Sequence, residues 1–172
     1  MTTTTRLSQL TGDYVLDAEQ TRIGFVARHR FGTRVRGRFG TFDGAAHLDG
    51  GDPARSSAWL SIRTDSIETG DKRRDAQLSK DFLGAAAYPT ITFTSTRVEQ
   101  VTETTFNVKG DLSIRGVTHS ITIPFKLTGD VTFEATQTIN RMDWRANWNA
   151  VTTILVSPDV TLDLQLTAIR RL

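Results

Sequence analysis

The chain has 172 residues, is 38% hydrophobic and 23% charged, and carries a formal net charge of +2 with no cysteine. That is one domain's length at roughly 100–200 residues per domain, and its ordinary apolar content and low net charge exclude a disordered chain. The missing cysteines exclude disulfides, thiolate nucleophiles, iron–sulfur clusters and cysteine-ligated zinc. His29, His47 and His119 offer no pair at helical or strand spacing to seat a metal, so no metal and no cofactor are expected.

Residues 1–11 are polar and threonine-rich and read as a flexible tail, with a single domain over 12–172. The start has no apolar stretch followed by a small-residue cleavage site, and no later segment reaches the ~18 apolar residues of a membrane span. The expectation is a soluble, cytoplasmic protein without stable membrane insertion.

From Tyr14 onward short strand-like runs alternate with turns. Ile23, Phe25 and Ala27 alternate with polar neighbours, as do Val35, Gly37 and Phe39 with Arg34, Arg36 and Arg38. Leu60 and Ile62 mark a third run towards Ile67, and Thr90 to Val98 a fourth. Long alternations follow: Phe106 to Ile114, Ile121 to Leu127, and Val160 to Leu166. Turn residues such as Gly50-Gly51-Asp52-Pro53, Arg115-Gly116 and Gly129-Asp130 separate them. About eight strands with one apolar face each predict an all-β antiparallel barrel or sandwich, and an eight-stranded barrel has room for one small ligand. Asp71 to Leu83 breaks the pattern. It favours a short helix capped by Thr69 or Asp71, with Leu78 and Phe82 turned to the barrel and Gly70 and Gly84 as flanking hinges.

Several residues invite a chemical reading. His29 shares the parity of Phe25 and Ala27 and is expected inside, either as a hydrogen-bonded core histidine or as a head-group contact. Arg28, Arg30, Arg34, Arg36 and Arg38 crowd one presumptive hairpin. They read as an outward, edge-protecting strand face, with an anion platform or an acidic-membrane patch as the alternative. Nucleic acid is not expected, since 19 acidic residues disperse the field and no motif accompanies the arginines. Arg141 and Asp143 beside Trp144 and Trp148 look like a structural latch at a barrel end, with a ligand mouth as the alternative.

The ordered set of segments resembles the YceI-like, polyisoprenoid-binding, lipocalin-like family. It comprises Tyr14-Val-Leu-Asp17, Ile23-Gly-Phe25 ending at His29, Val35 to Gly44, Thr69 to Asp75, Asp81-Phe82, Tyr88 to Phe93, Gly110 to Thr118, Asn140 to Asp143 and Trp148-Asn149. The resemblance implies an eight-stranded antiparallel lipocalin-like barrel with one short helix, around an apolar tunnel. It also implies non-covalent carriage of a polyisoprenoid, an isoprenoid quinone or a fatty-acyl amide. Gln77 stands where the family commonly has histidine, the stretch before Asn140 looks like a trimmed hairpin, and the export signal of many relatives is not expected here.

Parity and position nominate Phe25, Ala27, His29, Phe31, Phe39, Phe42, Leu60, Ile62, Leu78, Phe82, Ile91, Phe93 and Trp148 as ligand-binding residues. The partner expected is a lipid-like small molecule, and a homodimer is left open. The rival reading is a cyclase or isomerase that folds a polyene or polyketide in the same cavity, with His29, Asp75 or Asp143 for acid–base work.

Overall fold

A computed structural model describes residues 6–171. The alternating segments become eleven antiparallel strands of one sheet: β1 (Gly12–Leu16), β2 (Arg22–His29), β3 (Arg34–Phe39), β4 (Phe42–Leu48), β5 (Ser57–Arg63), β6 (Ile67–Glu68), β7 (Thr90–Gln100), β8 (Thr105–Ile114), β9 (Val117–Leu127), β10 (Thr132–Asn140) and β11 (Val156–Arg170). Eight of them, in the order β1-β4-β5-β7-β8-β9-β10-β11, close into a barrel because β1 pairs with both β4 and β11. The long β11 carries two neighbours on one edge. Its end takes β1 (Leu16↔Ala168), while its earlier part takes β2 and, through it, β3 and the short β6.

Burial follows the alternation. In β8, Phe106, Val108, Leu112 and Ile114 are buried while Lys109 and Asp111 face solvent. Two glycines make room for rings: a Cβ on Gly37 would stand 2.3 Å from the Phe25 ring, and one on Gly110 would stand 2.5 Å from the Phe93 ring. Gly37 is thus a seat for Phe25.

The two barrel ends are built differently. At one, which we term the tail end, Leu7–Gln9 forms a 3₁₀ turn whose Leu7 N–H donates to the Glu103 carbonyl, and Leu7 and Leu10 are buried in the core. The flexible tail expected over 1–11 therefore does not hold for residues 6–11; residues 1–5 lie outside the described ones. Leucines three apart on a 3₁₀ turn eclipse one another, so both reach the barrel.

At the other, the cap end, helix α1 (Lys72–Gln77) starts at Asp71, whose carboxylate accepts from the N–H groups of Arg73 and Arg74. It continues as a π-helical turn over Leu78–Phe82, and Gly70 and Gly84 flank the pair with φ of +89° and +62°. A second short helix, α2 (Ala150–Leu155), adds to the one that the sequence predicts. Its β-branched residues favour helix poorly, and it is fixed by reciprocal bonds between Asn149 and Thr152. Before Asn140, β10 is a nine-residue strand paired along its length with β11 and joined to β9 by residues 128–131. Gln137, at an inward parity between Ala135 and Ile139, hides its alternation in the sequence.

Candidate functional site

The barrel encloses an apolar cavity of about 290 Å³, near the lower end of the ~300–1,000 Å³ typical of small-molecule sites. It is elongated. Along β8 its lining runs from Phe106 to Ile114, about 27 Å of strand at ~3.4 Å per residue. Leu48 and Ala168 line it towards the tail end; Leu78, Phe82 and Leu83 of the covering segment line it at the cap end. Towards the tail end Phe106 stacks on Phe125 at 6.0 Å and meets Phe133 edge-on at 5.4 Å.

Of the residues nominated from sequence, Phe25, Ala27, Phe39, Leu60, Ile62, Leu78, Phe82, Ile91 and Phe93 line this cavity. The other four do not. His29 is exposed, which corrects its expected inward placement. His29 is the last residue of β2, paired with Val156 beyond the bulge in β11, and its N–H donates to Thr33 O in a hairpin turn beyond the rim. Phe31 stands at the tip of that turn, 87% exposed. Phe42 packs against the core without reaching the cavity lining, and Trp148 is half exposed on the cap.

Among the described residues Arg141 is the one charged residue of the lining, and it is buried. Its Nε donates to Ser157 O at 3.1 Å. One terminal nitrogen donates to Ala146 O at 2.8 Å and Asn147 Oδ1 at 3.0 Å, and the other to Val156 O at 2.8 Å and Thr152 O at 3.3 Å. No carboxylate pairs with it among the described residues. Burial pushes the guanidinium below its ordinary pKa, and its five donors are all engaged. Arg141 therefore ties β11, α2 and the 145–147 loop together and has no N–H left for a ligand. The latch reading holds for Arg141. Trp144 belongs to the same latch, being buried with its indole N–H donating to Leu112 O at 2.8 Å.

A second arginine, which sequence reasoning read only as part of a turn, clamps the cover itself. One terminal nitrogen of Arg115 lies 3.0 Å from Phe82 O, 2.9 Å from Arg145 O and 2.8 Å from Asn147 O. Arg115 sits at φ +53° and Gly116 at φ +73° in the tight β8–β9 turn, where a non-glycine residue costs roughly 1–2 kcal/mol. Charge-assisted bonds to carbonyls at ~1.5–3 kcal/mol each offset that cost. The signal available in the sequence was an arginine in a slot that favours Asn or Asp.

None of the acid–base groups weighed for a cavity enzyme reaches the cavity. Asp143 is exposed, and His29 lies beyond the rim. Asp75 accepts from the backbone N–H and hydroxyl of Thr69, which fixes the start of α1.

Comparison with known proteins places this barrel. The model of the YceI-like domain matches residues 14–168. A UPF0312 protein of Pseudomonas syringae is 31% identical over 166 residues, covering 90% of this chain and 86% of that protein. Protein YceI of Escherichia coli is 36% identical over 125 residues, 71% of this chain. The matched stretch spans 65% of that protein's length, as it does for a UPF0312 protein of Azotobacter vinelandii at 33% identity. Among solved structures, BcnA of Burkholderia cenocepacia superposes with a TM-score of 0.83 at 25% identity, covering 90% of this chain and 99% of BcnA. A domain of Saccharophagus degradans described as polyisoprenoid binding has the same fold, with a TM-score of 0.73 at 20% identity over 92% of this chain and 98% of its own.

Proposed function

This chain belongs to the YceI-like domain family, and we propose that it holds one long apolar molecule, a polyisoprenoid, an isoprenoid quinone or a fatty-acyl amide, non-covalently in the barrel. The observation that carries the reading is an elongated cavity whose single charged lining residue among those described, Arg141, has already spent its donors on the protein's own carbonyl groups. The polyisoprenoid-binding description of the Saccharophagus neighbour supports the class.

A lining this apolar, with Thr92 and Trp59 as its polar-tipped members beside Arg141, recognises length and shape. Each methylene taken from water contributes about 0.8 kcal/mol, close to fourfold in affinity, whereas a polar head finds few partners among the lining side chains. The head group therefore rests at the cap end, and the segment over Leu78–Phe82 shifts between Gly70 and Gly84 to admit the chain. Displacement of a fluorescent polyene by polyprenyl alcohols, isoprenoid quinones and fatty-acyl amides tests this. The expected result is affinity that climbs with chain length and changes little between head groups at matched length. A steep preference for one head group, indifferent to chain length, would overturn it.

A further inference from the structure

Helix α2 is turned inside out. Val151, Ile154 and Leu155 stand at i, i+3 and i+4, on one side of the helix, and are 59%, 58% and 39% exposed. An apolar stripe on a short helix ordinarily faces the core. Next to it stands the tip of the β2–β3 hairpin with the exposed Phe31, and the two are joined: Arg30 N–H donates to Leu155 O at 2.8 Å, and Val156 pairs with His29. The apolar side chains sit on a protruding hairpin tip and a protruding helix, a shape suited to entering a soft interface.

The charge around them is mainly positive, although Asp159 in the β11 bulge beside the hairpin is exposed as well. Arg28, Arg30, Arg34 and Arg36 are exposed, and none takes part in an ion pair among the described residues. Arg38, further along the same strand, is paired with Glu68 at 3.0 Å. Arg28 and Arg34 are direct cross-strand partners, an arrangement of like charges that weakens a hairpin. Folding alone accounts for neither the exposed stripe nor the facing arginines. An interface with an apolar interior and an anionic surface accounts for both.

We propose that the cap end docks on the surface of an anionic phospholipid bilayer. Phe31, Val151, Ile154 and Leu155 enter the boundary between head groups and acyl chains, and Arg28, Arg30, Arg34 and Arg36 pair with lipid phosphates. Docking at this end brings the covering segment to the membrane. It does not depend on what the cavity holds, so a protein that ignored vesicles would leave the cavity reading intact.

Flotation with vesicles of phosphatidylcholine, alone or mixed with phosphatidylglycerol, tests the proposal on the full chain. Binding is expected only to the mixed vesicles, weakening as salt is added. Arg28→Gln with Arg34→Gln should weaken it about thirtyfold, from roughly fivefold per charge at an anionic surface. Phe31→Ser with Ile154→Ser should weaken it about tenfold or more by removing inserted apolar area. Arg97→Gln with Lys109→Gln, a cross-strand pair on the β7–β8 wall, removes as many charges and should change nothing; circular dichroism checks that each variant is folded. Equal binding to both vesicle types, binding to neither, or indifference to the cap-end substitutions would overturn the proposal. So would a dimer in sedimentation velocity that Phe31→Ser with Ile154→Ser dissolves in a protein that ignores vesicles, because the face would then belong to a second copy.

Discussion

The two ends of the barrel share one wall and are closed by opposite means. At the tail end Leu7 and Leu10 fill the opening with apolar side chains next to Tyr14 and Leu48, and the seal is a continuation of the core. At the cap end the cover is held by two arginines that reach backbone carbonyls of the covering pieces; Leu78, Phe82 and Leu83 face the cavity, while Val151, Ile154 and Leu155 of α2 are exposed. A hydrophobic plug has no alternative arrangement that keeps it dry, so it stays. A cover tied by hydrogen bonds can exchange them for water at a modest net cost of ~0.5–1.5 kcal/mol per bond, somewhat more where one partner is charged. The contrast assigns permanence to one end and passage to the other.

The largest expected effect breaks the cap end. Arg141→Leu strands five acceptors in a buried setting, each costing about 1–3 kcal/mol, and the loss should be at least ~4 kcal/mol in a urea melt. Arg141→Lys should rescue little of it, because an ammonium has no planar fork to spread over those carbonyls. A loss below about 1 kcal/mol would show that the cap is held by other contacts.

Breaking the tail end should cost nearly as much and do something different. Leu7→Ala empties a side chain that is 1% exposed and should destabilise by about 2–5 kcal/mol. The rate at which a fluorescent polyene loads should not change, since this end is not the entrance. Faster loading in Leu7→Ala would reverse the assignment of the two ends.

The wall between the ends comes next. Gly37→Ala drives a methyl into the Phe25 ring, which has only the cavity to move into. The cost in stability should be about 1–3 kcal/mol, and calorimetry should show weaker polyene binding together with a smaller heat-capacity change. Unaltered binding would mean that Phe25 does not border the occupied space.

The smallest thermodynamic effect should belong to Arg115→Ala. It removes the three contacts to Phe82, Arg145 and Asn147 but leaves a non-glycine residue in the same turn. Stability should fall by about 1–3 kcal/mol. Stopped-flow mixing should show faster loading and faster release, with affinity nearly unchanged. Unchanged rates in a folded variant would mean that this clamp does not govern the cover.

What the sequence disclosed follows from where alternation is enforced. Phe25, Ala27, Leu60, Ile62, Ile91 and Phe93 lie mid-strand, where a slip of one residue would turn every side chain over, and their inward placement was readable. His29 and Phe31 lie where the ladder ends, beyond the bulge in β11, and neither the bulge nor the end of the ladder has a signature in β2 itself. Leu78 and Phe82 were readable because i, i+4 spacing survives the change from α to π turn. Leu7 and Leu10 were hidden in a threonine-rich tail, since their burial depends on Glu103, nearly a hundred residues away. Apart from Asn147 Oδ1, the donors of Arg115 and Arg141 end on backbone carbonyls, which every residue possesses, so residue type could reveal few of their partners.

The most direct test is native mass spectrometry of the purified protein beside Ala27→Phe, which fills the cavity from one of its lining positions. The wild type should carry a single apolar adduct, extractable into organic solvent or acquired one-to-one on adding a polyprenyl alcohol, and Ala27→Phe, folded by circular dichroism, should carry none. A wild type that takes up no apolar molecule under either condition, or an Ala27→Phe protein that carries the same adduct, would contradict the account.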